Sequence, residues 1–256
     1  MRIARVSLSP SMENVVYAAV DDSSARLYSA APWRGGAPTG EVVKLDTVQL
    51  LAPVEPSKIV CIGRNYAAHA KELGSDVPKE PLLFLKPPSA LLATGGTIVL
   101  PRESSRVEHE AELGVVIGAR AKNVPRERAL AHVLGYTCVG DITARDLQRS
   151  DGQWSRAKGF DTFCPVGPWI ETELDPASLR ISCRVNGAAR QDGPTSDMIF
   201  PVPEIVAYVS RMMTLEPGDL IATGTPEGVG PLAPGDTIEI DVSGIGRLAC
   251  QVRAAS

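Results

Sequence analysis

Apolar residues in this chain come in short runs, most of them closed by Gly or Pro. Runs rich in β-branched residues at 15–20, 59–62, 82–85, 179–185, 220–223, 237–242 and 247–252 predict strands. Helical spacing is confined to three places. The first is 66–73, with Gly74 placed to stop it. The second opens at Pro125 and carries Ala129, Leu130, Val133 and Leu134. The third, 203–213, sets Ile205, Val206, Val209, Met212 and Met213 on one face, the methionines reading as core filler. The pattern predicts a mainly β, α+β protein with few helices.

Turn clusters divide the chain. Asp21-Asp22-Ser23-Ser24 follows a strand, Gly35 to Gly40 reads as a loop, and Pro53-Val54-Glu55-Pro56-Ser57 reads as a linker. A small N-terminal β unit at 1–52 and a larger unit at 53–256 are expected. A chain of 256 residues is long enough to bury a full core, and 44% apolar with 22% charged is ordinary globular composition. The formal net charge of −4, without a local Lys/Arg cluster, offers nucleic acid no basic surface. No apolar run approaches membrane-spanning length, and the first seven residues lack a secretory apolar core. Cysteines 61, 138, 164, 183 and 250 are scattered and odd in number, which argues against a disulfide framework or a zinc knuckle. A reduced, cytoplasmic protein is expected.

Against this background the segment Glu108-His109-Glu110-Ala111-Glu112-Leu113-Gly114-Val115-Val116 stands out. The two-residue period of a strand puts Glu110 and Glu112 on one face. Close carboxylates repel unless a cation neutralises them or one takes up a proton. Asp141 ends another strand-like run, so three oxygen ligands from two strands can form an open site for Mg²⁺ or Mn²⁺, with Ca²⁺ also accepted. The competing reading is a solvated strand edge whose acids discourage aggregation. His69 and Glu72 lie three apart in the first helix, where the carboxylate can fix the imidazole tautomer of a general base; an ordinary surface pair has the same spacing. Arg145, Gln148 and Lys158 either hold an anionic substrate or face solvent. His132 reads as structural or surface, and His109 as structural or supporting. The glycines of 223–230 permit close backbone approach to a ligand, but no phosphate-loop pattern is present.

The order of these signals resembles the fumarylacetoacetate hydrolase superfamily from about residue 57 onward. Gly-Arg-Asn-Tyr-x-x-His-x-x-Glu at 63–72 is followed by Phe84-Leu85-Lys86-Pro87 and Glu-x-Glu at 110–112. Asp141 with Thr143-Ala144-Arg145-Asp146, Ala157-Lys158-Gly159-Phe160-Asp161 and Thr-Gly-Thr-Pro at 223–226 complete the set. The branch resembled includes acylpyruvases, fumarylpyruvate hydrolases and 2-hydroxyhepta-2,4-diene-1,7-dioate isomerases. The resemblance implies a β-roll or sandwich catalytic domain after a small N-terminal β domain, usually in a homodimer. It implies Glu110, Glu112 and Asp141 as ligands of Mg²⁺ or Mn²⁺, and His69 with Glu72 as a water-activating dyad. Lys158 would stabilise developing negative charge, with Arg64, Tyr66, Lys86, Arg145, Gln148 and Thr225 at the substrate.

The expected substrate is a small anionic dicarbonyl or 2-oxo acid, with no nucleic-acid or membrane partner. The expected reaction is Mg²⁺-dependent hydrolysis of the carbon–carbon bond of an acylpyruvate-type 2,4-dioxo acid such as fumarylpyruvate, through a metal-bound enolate. The same site suits an isomerase or decarboxylase of a hydroxyhepta-diene-dioate, 5-carboxymethyl-2-hydroxymuconate or oxaloacetate, because fold alone does not choose between them. A catalytically silent assembly protein with a structural metal is the reading from another class.

Overall fold

In the computed structural model, which describes residues 1–9 and 11–255, the chain is mainly β. A large twelve-stranded sheet forms the body. Its centre is the antiparallel trio Ala111–Ile117, Val133–Gly140 and Cys164–Glu171. On one side the sheet continues through Leu220–Ala222, Ile59–Gly63 and Leu82–Lys86; on the other it continues into Arg2–Ser7, Val15–Val20, Ser24–Tyr28 and Pro38–Lys44. The strands before residue 52 therefore extend the same sheet, with Arg2 and Ile3 paired to Glu171 and Ile170. A five-stranded sheet, ordered Ala188–Pro194, Arg180–Val185, Thr237–Val242, Gly246–Ala254 and Thr97–Leu100, packs against the body.

The two-residue period explains how one strand serves both a core and a site. Ala111, Leu113, Val115 and Ile117 join the main core with Ile181, Cys183, Val185, Ile238 and Ile240 of the second sheet. Val116 packs into a separate cluster with Ile59, Cys61, Val139 and Cys164. The helix Val202–Met212 covers the main core with Ile205, Val206 and Val209. All five cysteines are buried free thiols.

Several local expectations are corrected. Residues Arg126–His132 form a 3-10 helix, and Val133 and Leu134 begin the strand Val133–Gly140. The apolar spacing had matched a helix because it straddles two elements. His132 ends that 3-10 helix, with Nδ1 3.0 Å from the Arg120 carbonyl. Met213 packs at the core, but Met212 is 53% exposed, so only one of the two methionines fills the interior. The strand Pro38–Lys44 includes residues read as a loop. Two short helices, Arg145–Ser150 and Ser155–Lys158, went unpredicted because neither has an apolar stripe of useful length.

The approach to the site is fixed by Asn65, which is fully buried. Its Nδ2 donates to the carbonyls of Phe200 and Thr223 at 3.0 and 2.7 Å, and its Oδ1 accepts the Phe200 N–H at 2.8 Å. Asn65→Ala would strand these backbone groups without water. It is expected to lower unfolding free energy by about 3 kcal/mol in urea titration. A loss under about 1 kcal/mol would show that the knot carries little stability.

Candidate active site

The strands and short helices converge on a cavity of about 270 Å³ lined by both charges and rings. Glu110, Glu112 and Asp141 meet at its floor, each offering a ligand oxygen, with these atoms within 4.8 Å of one another. Strand pairing brings them together: Ala111 faces Gly140 across the ladder, and the Asp141 N–H donates to the Glu110 carbonyl at 2.9 Å.

Buried charge requires partners. Lys158 Nζ donates to Glu110 Oε2 at 2.8 Å and Asp141 Oδ2 at 2.6 Å. Lys86 Nζ takes the other Asp141 oxygen at 2.6 Å and the Ile142 carbonyl at 3.1 Å. Arg145 spans Glu108 and Glu110 at 2.7 and 2.6 Å, while its Nη1 holds Gln148 at 2.6 Å. Glu108 also accepts from Arg106, so it belongs to the support around Arg145. Burial opposes ionisation of Glu110, but Lys158, Arg145 and His69 outweigh it and hold its carboxyl below the usual range. For Lys158, burial opposes the charge, and Asp141 and Glu110 overcome that opposition.

Glu112 differs. Its Oε2 accepts the Gly224 N–H at 2.8 Å, but it has no ion pair with a Lys, Arg or His among the described residues. Burial, then Asp141 and Glu110, push its carboxyl well above the usual range. A hard divalent cation fits this donor set: all the ligands are carboxylate oxygens, and each oxygen retains acceptor capacity beyond its existing bond. The cation would also supply the charge that Glu112 lacks.

The second constellation reaches the same cavity through His69. His69 is buried at the end of the helix Ala67–Glu72, with Nδ1 3.2 Å from Glu72 Oε2. The other Glu72 oxygen accepts the Gly228 N–H at 3.0 Å. A carboxylate only accepts, so the contact is a donation from Nδ1, and in the neutral imidazole that leaves Nε2 with its lone pair. Arg64, Gln148 and Thr225 line the cavity with Arg145 and Lys158.

Two residues expected at the substrate lie elsewhere. Lys86 is buried against Asp141, with whose carboxylate it pairs. Tyr66 is 2% exposed and outside the cavity lining. Arg149, Trp154, Phe84, Leu73 and Ser75, none of them named singly as a site residue from the sequence, also line the cavity. Phe84 stands within the Phe84–Pro87 motif; Lys158 Nζ lies 4.8 Å from its ring centroid and Trp154 meets it edge-on at 5.2 Å.

This chain belongs to the fumarylacetoacetate hydrolase family. Residues 58–253 match the model described as fumarylacetoacetate (FAA) hydrolase C-terminal, and residues 1–53 match an N-terminal model described as Rv2993c-like. Among its relatives is the mitochondrial oxaloacetate tautomerase FAHD1 of Arabidopsis thaliana, 48% identical over 77% of this chain and 91% of that protein. The structure of 5-carboxymethyl-2-hydroxymuconate delta-isomerase from Mycobacterium smegmatis is 44% identical, covers all of both chains and superposes with a TM-score of 0.93. Maleylpyruvate hydrolase from Sphingobium sp. SYK-6, in complex with manganese(II) and pyruvate, is 33% identical over all of both chains, with a TM-score of 0.81. Among the described residues no helix is long and apolar enough to cross a membrane.

Glu112→Gln preserves shape and can keep the Gly224 contact while removing one negative charge. It is expected to weaken Mn²⁺ binding at least tenfold by isothermal titration calorimetry, a change of about 1.4 kcal/mol. Unchanged affinity would place the cation away from this cluster.

Proposed function

We propose that this chain catalyses proton transfer on a small 2-oxo dicarboxylate, interconverting its keto and enol or dienol forms, with His69 as the base. One observation carries the reading: His69, held by Glu72 at 3.2 Å, and the three clustered carboxylates line a single cavity. Mg²⁺ or Mn²⁺ held by Glu110, Glu112 and Asp141 would supply Lewis acidity toward the carboxylate and oxo oxygens of such a substrate.

The chain's own residues account for the remainder. Glu72 fixes the imidazole so that Nε2 can take a proton from the carbon beside the oxo group and return it elsewhere. The Lys158 ammonium places positive charge at the inner wall, where negative charge develops on oxygen. The outer lining supports a dianionic substrate. Arg64 and Arg149 both line the cavity, and neither has a carboxylate partner among the described residues, whereas Arg145 and Arg156 nearby are paired. Free guanidiniums at that end suit a second carboxylate.

A second reading uses the same base on water: hydrolysis of an acylpyruvate-type 2,4-dioxo acid such as fumarylpyruvate. Water attacks the distal carbonyl, the carbon–carbon bond breaks, and a carboxylic acid and a 2-oxo acid leave. Support comes from the likeness to maleylpyruvate hydrolase. Tautomerisation leads over hydrolysis because the tautomerase and isomerase relatives are more similar to this chain than maleylpyruvate hydrolase is.

Incubation of the Mg²⁺-loaded protein in D₂O with oxaloacetate, fumarylpyruvate and a hepta-diene-dioate separates the readings. Deuterium entering beside the oxo group without carbon loss marks proton transfer, two carbon fragments mark hydrolysis, and CO₂ marks decarboxylation. His69→Ala is expected to lower either base-dependent rate by about 100-fold or more. A full rate in that variant would remove His69 from the chemistry. Arg149→Ala is expected to raise KM about tenfold for a dicarboxylate and leave a monocarboxylate analogue unchanged. Equal effects on both would refute the dianion subsite.

A further inference from the structure

We infer that Gln191 is a positioning residue, which holds the loop 223–230 so that one backbone segment serves the carboxylate cluster and the His69–Glu72 pair together. This rests on the site reading above and adds a residue outside it. Gln191 lies on the strand Ala188–Pro194 at an edge of the five-stranded sheet, is 1% exposed, and is absent from the cavity lining.

All the hydrogen-bonding capacity of its amide is used. Oε1 accepts the Ala111 N–H at 3.0 Å and His109 Nδ1 at 3.1 Å. Nε2 donates to Thr225 Oγ1 at 2.7 Å and to the Pro226 carbonyl at 2.8 Å. The orientation is settled chemically, because a backbone N–H can only donate and a carbonyl can only accept. A flipped amide would oppose like groups at both backbone contacts. The same logic puts the His109 proton on Nδ1, so that residue supports Gln191 from behind the ligand-bearing strand. Ala111 stands between Glu110 and Glu112, so Gln191 holds the backbone of the segment that carries both carboxylates.

The loop it reaches has no regular secondary structure between Thr223 and Val229, so side chains must set its shape. Gly224 N–H holds Glu112, Gly228 N–H holds Glu72, and Thr225 Oγ1 donates to the Ala111 carbonyl at 2.8 Å. Pro226, gripped by Gln191, lies between those two glycines in sequence. The loop lies flush on the Gln191 strand. A Cβ on Gly228 would sit 2.1 Å from the Arg190 carbonyl oxygen, and one on Gly193 would sit 2.6 Å from Pro226 Cβ. Both glycines thus permit the contact that brings Gln191 to the loop. Releasing Thr225 and Pro226 would loosen both amide contacts, although Gln191 touches neither carboxylate.

The test uses Gln191→Met, close in volume, and Gln191→Glu, which keeps the acceptor but cannot donate to Pro226. Mn²⁺ alone, followed by calorimetry, is expected to bind about tenfold more weakly to both, a level set by one lost charge-assisted contact. In the Mg²⁺-loaded enzyme kcat is expected to fall while KM shifts less. The loss should largely disappear when Gln191→Met is combined with Glu72→Gln, because both act through the same group. Hydrogen exchange at Gly224 and Gly228 should accelerate in either variant while the strand Ala111–Ile117 stays protected. Unchanged Mn²⁺ affinity with unchanged exchange at these glycines would overturn the inference, as would kinetic losses that multiply in the double variant. If Gln191→Met unfolds, exchange in Gln191→Glu still decides. Glu72→Gln with full turnover would instead defeat the base reading, and leaves the metal and exchange measurements to judge Gln191.

Discussion

Burying four carboxylates together is the constraint that organises this molecule. Glu108, Glu110, Glu112 and Asp141 are each 5% exposed or less, where an isolated charge is untenable. Three cationic side chains, Lys86, Arg145 and Lys158, are buried among them and between them bridge Glu108, Glu110 and Asp141. Glu112 is the remainder that this arrangement does not neutralise. Site chemistry and structural support are therefore the same set of contacts. Removing one partner would leave an uncompensated buried charge as well as a missing functional group.

That constraint also explains why short elements carry so much. The helices Arg145–Ser150 and Ser155–Lys158 are too short to be stable by propensity, and tertiary ion pairs hold them. Residues 223–229 lie outside the strands and are held by hydrogen bonds to Glu72, Ala111, Glu112 and Gln191. Their glycines allow this packing. Gly224 has φ +97, and a Cβ there would lie 2.6 Å from that of Asn65. Relatives of this chain include a tautomerase, an isomerase and a hydrolase, as expected when a shared fold carries different chemistries.

Legibility in the sequence followed the range of the interaction. Strands with a two-residue apolar rhythm, such as Thr237–Val242, were readable locally, as was the helix stopped by Gly74, which has φ +64. The pairing of His69 with Glu72 was readable because three residues is a local spacing. Residues 129–134 misled because an apolar spacing crossed from a 3-10 helix into a strand. Lys86 and Gln191 were opaque for a different reason: their partners lie 55 to 82 residues away or more than 30 residues downstream.

The amino-acid order alone thus determined a mainly β chain, an alternation that puts Glu110 and Glu112 on one face, and the ordered motifs that mark the family. Alternation and short spacing are backbone geometry, and they hold wherever the strand or helix lies. Only the tertiary structure decided that Lys86 pairs with Asp141 of the expected carboxylate cluster, and that a single loop reaches both Glu112 and Glu72. Those are long-range contacts, chosen by which buried charges and backbone groups can satisfy one another once the two sheets have packed.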